Sequence, residues 1–202
     1  MRPTHLRRLA ALALGAITLA SCGVEHPTLP QLQQSSPDAP ASDLLGGLTG
    51  ALTSLIGING LQRTTPLAAP ITVTKEIGTE GGTLAIPQAG VTVTVPRGAL
   101  TKTTTITMTA RAGSLVAYDF APHGVVFAKP LVFSQQLRGT NATLLSAPLL
   151  SLGYYEDASL LTKTGGLVSQ LLRGTVNTLS WTFTSSIPHF SGYIVTCGRR
   201  GE

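Results

Sequence analysis

Charge and aromatic rings are scarce in this 202-residue chain: 11% of residues are Asp, Glu, Lys or Arg and 5% are Phe, Trp or Tyr. A nucleic-acid surface needs clustered cations and rings on which bases stack. Here Lys and Arg stand singly between Arg63 and Lys163, so no nucleic-acid partner is expected. Cysteine is limited to Cys22 and Cys197, which excludes a disulfide framework and a thiolate zinc site. His5, His26, His123 and His189 lie far apart, with no Cys or carboxylate at ligand spacing. No metal and no cofactor is expected, unless the fold gathers His123 with Asp119 or Glu156. There is no G-x-S-x-G elbow. Gly78-Thr79-Glu80-Gly81-Gly82 lacks the Lys-Ser/Thr pair of a phosphate loop and runs into a strand, not a helix. Glu156-Asp157 reads as a solvated turn. Asn141-Ala142-Thr143 fits an N-glycosylation pattern, which marks a surface loop and no chemistry.

No apolar run is long enough to cross a bilayer. The longest, Leu9 to Ala20, falls short of the roughly 20 residues a spanning helix needs. It follows Arg2, Arg7 and Arg8 and ends at Ser21-Cys22-Gly23, the layout of a secretory signal peptide over residues 1–21. Leu19-Ala20-Ser21-Cys22 resembles the bacterial lipobox, whose Cys is acylated and becomes the new N-terminus. The resemblance implies lipidation at Cys22 and a membrane partner through that anchor. One acyl chain binds a membrane only marginally, and the several chains of the lipoprotein modification would hold it firmly. Gly23, where some bacteria use Asp for inner-membrane retention, points to the outer membrane of the cell envelope.

The formal charge of +5 shrinks after processing. Arg2, Arg7 and Arg8 leave with the signal, and eleven cations then face nine acids, near +2. An acylated Cys22 has no thiol to offer Cys197, which then reads as a small buried hydrophobe. Residues 22–41, rich in Pro, Gln and Ser, read as a tether. Between 42 and 62, Leu44, Leu45, Leu48, Leu52, Leu55 and Ile56 recur at helical spacing behind a Ser42 or Asp43 cap. That spacing predicts a short amphipathic helix, although Gly46, Gly47 and Gly50 weaken it. Docking on the domain, or a marginal helix in the tether, fits it better than a membrane-surface role, because its polar face has no Lys or Arg.

From residue 71 to 197 the pattern is β. Ile71-Thr-Val73-Thr-Lys75, Val91-Thr-Val93-Thr-Val95, Thr105-Ile106-Thr-Met108 and Trp181-Thr-Phe183-Thr all alternate with period two. Gly and Pro clusters separate them. Many short strands at about 8–12-residue spacing predict an all-β antiparallel sandwich. Pro96 should end a strand, and Pro130 should mark an edge or a bulge. Gly81 and Gly82 suit a hairpin turn, and Gly98 a chain reversal before Leu100.

Gly81-Gly82-Thr-Leu84, Val95-Pro96-Arg-Gly98-Ala99-Leu100 and His123-Gly124-Val-Val-Phe127-Ala-Lys129-Pro130 form an ordered set. Together they resemble the ZU5 domain, a β-sandwich of ankyrins, netrin receptors, a death-domain adaptor and bacterial envelope proteins. The resemblance spans roughly 71–195 and implies a module for protein–protein contact; the expected role is a non-catalytic envelope module with a protein or glycan partner. Near the C-terminus, His189-Phe190-Ser191 resembles the self-cleavage site of the family's adaptor branch. By that resemblance Ser191 Oγ would attack the Phe190 carbonyl with His189 as base. A hydroxyl does need a base to act as nucleophile near neutral pH. Residues two apart on a regular strand are roughly 6.5–7 Å apart at Cα, so reaction requires a bent backbone here. The alternative is that Phe190 packs in the core while His189 and Ser191 bond neighbouring backbone.

Overall fold

The computed structural model describes residues 55–201. Cys22, the signal segment, the tether and residues 42–54 of the expected helix lie outside them. Fourteen strands follow in order: β1 (Ile56–Gly60), β2 (Gln62–Leu67), β3 (Ile71–Ile77), β4 (Gly82–Ile86), β5 (Val91–Val95), β6 (Thr104–Ala110) and β7 (Gly113–Leu115). Then come β8 (Ala117–Ala121), β9 (Val126–Gln136), β10 (Ser151–Tyr155), β11 (Gly165–Val168), β12 (Gln170–Asn177), β13 (Thr182–His189) and β14 (Gly192–Arg199).

The expected helix over 42–62 is corrected at its described end. Ile56-Gly-Ile58-Asn-Gly60 forms β1, which pairs with β11 and β14. The β domain therefore starts at Ile56 instead of residue 71. Ile56 and Ile58 alternate with Gly57 and Asn59, a period-two signal that the leucine spacing upstream obscured.

The strands form one antiparallel path, β3-β6-β8-β14-β10-β12-β13-β9-β5-β4, folded into two layers of a nearly closed sandwich. One layer holds β3, β6, β8, β14 and β10; the other holds β13, β9, β5 and β4. The strand β12 serves both: Gln170–Arg173 pair with β10, and Gly174–Asn177 pair with β13. Gly174 marks the crossing, where a Cβ would collide with the Phe183 ring and the Thr184 carbonyl. The β1–β11 ribbon joins β14 at the side, and β2–β7 form a separate two-stranded sheet.

Alternation decides what lies between the layers. Val91, Val93 and Val95 of β5 and Leu131 and Phe133 of β9 meet Ile106, Met108, Phe120 and Tyr193 in the main core. Each such side chain, fully buried, contributes roughly 1.5–3 kcal/mol. The threonines between them face outward, and Thr72–Thr109 and Thr74–Thr107 bond hydroxyl to hydroxyl across strands at 2.9 and 3.0 Å. In β14 alternation vanishes because both faces are covered. Tyr193, Val195 and Cys197 join the main core, whereas Ile194 joins a second cluster with Ile58, Leu115, Ala117, Tyr155 and Val168. Cys197 is buried there, with its sulfur 3.6 Å from the Asn59 carbonyl.

The turn residues fall mostly as the sequence suggests. Pro96 follows the last residue of β5, and Gly98 adopts φ +75° before buried Ala99 and Leu100. Pro130 sits where the β9 register slips between Leu131, opposite Ile187, and Val126, opposite His189. The Gly81 turn differs from a hairpin. Gly81 alone of the pair takes positive φ, and the turn joins β3 to β4, which lie at opposite ends of the strand path.

Candidate functional site

The tripeptide His189-Phe190-Ser191 occupies a corner. His189 is the last residue of β13 in one layer, and Gly192 is the first of β14 in the other. Between them the backbone leaves regular strand pairing, which supplies the bend that a reacting hydroxyl would require. The corner is fixed by the segment that follows β8. Phe190 N–H donates to the Val125 carbonyl (3.0 Å), and Gly124 N–H donates to the Phe190 carbonyl (3.4 Å). Phe120 N–H donates to the Ser191 carbonyl (3.1 Å).

Phe190 is buried among rings. It stacks on Phe120 at 5.7 Å and meets Phe127 edge-on at 4.6 Å between centroids. Such pairs add roughly 0.5–1.5 kcal/mol beyond burial. Its two flanking polar side chains point to different partners. Ser191 is buried and its Oγ donates to the Tyr155 carbonyl at 3.3 Å. His189 is half-buried, its ring edge-on to Tyr154 at 4.8 Å, with Nδ1 3.4 Å from the Tyr193 hydroxyl. That hydroxyl donates to the His189 carbonyl at 2.8 Å. Among the described residues no hydrogen bond joins His189 to Ser191. Gly192 closes the corner: a Cβ there would fall inside the Tyr155 ring.

Three tyrosines around these elements resist ionisation. Burial first, then the neighbouring Tyr154, push the Tyr193 hydroxyl upward. Burial and then the Asp119 carboxylate push Tyr155 upward. Burial pushes Tyr118 up to about 12, although the nearby Arg63 cation opposes the shift.

Two polar networks were not legible in the sequence. Asp119, opposite Gly192 on β8, accepts from Arg111 (2.7 Å) and from the Tyr155 hydroxyl (2.8 Å), and among the described residues no ion pair joins it to His123. Arg63 is buried and its guanidinium donates to the Leu115 carbonyl and to Tyr118 Oη (3.2 Å). Tyr118 in turn contacts Gln135. A signal for Gln135 did exist: Leu131, Phe133 and Gln135 alternate, which places the amide on the inward face. Among the described residues no group of three His, Cys, Asp or Glu side chains could hold a metal ion.

Self-cleavage at this corner would need Ser191 Oγ to turn from the Tyr155 carbonyl toward the Phe190 carbonyl carbon. It would also need His189 to leave Tyr193. In the arrangement seen, the three residues bind two layers of a sandwich together. The chain matches no family model, and no curated protein matches it.

Proposed function

We propose that this chain is a lipid-anchored cell-envelope protein whose β-sandwich is a non-catalytic interaction or structural module. The observation that carries the reading of the domain is the separate engagement of His189 and Ser191. The hydroxyl and the imidazole that could form a nucleophile–base pair are each bonded elsewhere, around a buried phenylalanine. Anchoring is supported by the basic start, the Leu9 to Ala20 stretch and Leu19-Ala20-Ser21-Cys22. The order of the ZU5-like segments supports a protein partner, with a glycan as the other ligand such a module could take. Radiolabelled palmitate tests the anchor: label on the wild type and none on Cys22→Ala is expected, and an unlabelled wild type overturns it. Affinity capture from envelope extracts that repeatedly returns no partner would count against the interaction role.

A second reading, self-cleavage between Phe190 and Ser191, has one favouring observation. The scissile carbonyl lies at a bend outside strand pairing and already accepts a hydrogen bond from Gly124. Ser191 Oγ would attack the Phe190 carbonyl carbon, its proton passing by way of His189 to the departing Ser191 nitrogen. Water would then hydrolyse the ester to a Phe190 carboxylate and the free hydroxyl. Intact mass of the purified mature chain beside Ser191→Ala decides: full-length chain in both removes this reading.

A further inference from the structure

The strand register sorts the described carboxylates and the most exposed leucines to opposite ends of the domain. Ser151 lies between Arg173 and Thr196, while Tyr155 at the other end of β10 lies opposite Gly192. Asp119 faces Gly192, and Glu156 and Asp157 follow Tyr155. Glu76 and Glu80 lie on that side too, beyond the Thr107–Ala121 pair. At the Ser151 end, Arg173 and Arg199 line a groove of about 460 Å³ together with Ser151, Thr196, Leu149 and Leu171. No described carboxylate lines it. The only described ion pairs, Arg97–Glu80 and Arg111–Asp119, involve neither arginine.

Leucines crowd the same end. The connection from β9 to β10 carries Leu144, Leu145 and Leu149, exposed by 72%, 82% and 58%. The β12–β13 turn, which follows Asn177 at the far end of the strand that carries Arg173, holds Leu179, exposed by 92%. That turn is built to hold Leu179 outward. Asn177 Oδ1 accepts from the N–H groups of both Leu179 and Ser180 at 3.0 Å, and Trp181 adopts φ +53°, an unfavourable conformation for a bulky residue. The chain also comes into the domain at this end. Ile58 lies opposite Arg199, and Arg200 N–H donates to the Gly57 carbonyl at 2.9 Å.

We infer that this pole is a membrane-docking face for anionic phospholipid. Leu144, Leu145, Leu149 and Leu179 enter the interfacial region, and Arg173 and Arg199 hold a lipid phosphate in the groove. Exposed leucines gain by leaving water, and each arginine near an anionic surface contributes about a fivefold gain in partition. An anionic lipid fits a groove lined by two arginines and no carboxylate, with apolar residues at its rim. The inference rests on the anchored reading only for the direction from which the bilayer approaches.

Trp181, the one tryptophan of the chain, sits in the Leu179 turn and reports on the contact. The mature chain from Cys22 would be prepared twice, acylated and unacylated, and mixed with vesicles carrying brominated acyl chains. Phosphatidylcholine alone would be compared with phosphatidylcholine plus phosphatidylglycerol. Docking predicts Trp181 quenching in both preparations when phosphatidylglycerol is present. It also predicts a roughly thirtyfold weaker partition of unacylated Arg173→Gln/Arg199→Gln, and loss of quenching in Leu144→Ser/Leu145→Ser. Trp181 emission that no vesicle alters, in either preparation, overturns the docking face. So does protection of the Leu144–Leu149 loop from hydrogen exchange by inorganic phosphate as strong as that by vesicles, which reassigns the groove to a free anion. Failure of the anchor reads out separately, as acylated and unacylated material floating equally poorly with phosphatidylcholine vesicles.

Discussion

The two poles of this sandwich use similar residue types to opposite ends. At the Phe190 corner an aromatic ring is buried under two others, and the polar atoms around it are bonded to neighbouring backbone. At the Leu144–Leu179 pole, leucines stand in water and two arginines face a groove with no described carboxylate on its walls. A corner that closes the fold cannot easily spare its groups for a ligand. A pole that leaves apolar surface exposed has surface to offer. The contrast sets closed packing at one end against exposed apolar surface at the other.

Substitutions should separate the two sharply. Phe190→Ala removes the ring that packs on Phe120 and Phe127 and should cost about 3–5 kcal/mol in urea unfolding. A loss under 1 kcal/mol would mean the corner is not structural. Alkali gives the next largest effect. Tyr118 is pushed up to about 12 in the folded protein against 10 unfolded, so its stabilisation is complete below pH 10. It is lost as pH rises from 10 through 12, because the unfolded chain ionises first. That difference corresponds to about 2–3 kcal/mol. Tyrosinate absorbance should therefore rise largely together with unfolding. Independent titration of all four tyrosines below pH 11 would contradict the burial of Tyr118, Tyr155 and Tyr193.

Smaller effects sharpen the comparison. Gly192→Ala drives a methyl into the Tyr155 ring and should cost about 1–3 kcal/mol, read by the same unfolding midpoint. Tyr193→Phe deletes the donor to the His189 carbonyl and should cost about 1 kcal/mol. At the open pole, Leu144→Ser and Arg173→Gln should each move stability by less than about 0.5 kcal/mol. A large loss from either would show that this pole is held shut in the folded state, which would erase the distinction.

The fold was legible wherever one face of a strand meets water. The β3, β5 and β6 strands announce themselves by threonine alternating with valine or isoleucine, and Pro96 and Pro130 fall where their missing N–H groups predict. Strand β14 did not, because Gly192-Tyr-Ile-Val-Thr-Cys is covered on both faces and so has no period to read. At β1 the alternation was present but short, and the leucine series before it suggested a helix. The candidate corner was legible as a tripeptide and not as an arrangement: nothing in His189-Phe190-Ser191 says that the hydroxyl turns to Tyr155 and the imidazole to Tyr193. Arg63 was invisible for a related reason. Its buried guanidinium donates to a carbonyl 52 residues away, and local spacing says nothing about such a partner.

Because β12 belongs half to each layer, the domain has a seam where many sandwiches have two separable sheets. While Gln170–Arg173 stay bonded to β10 and Gly174–Asn177 to β13, sliding one layer over the other strains the backbone that joins them. The seam's narrowest stitch is Gly174, pressed against Phe183, where no larger residue could let the chain pass from one fabric to the other.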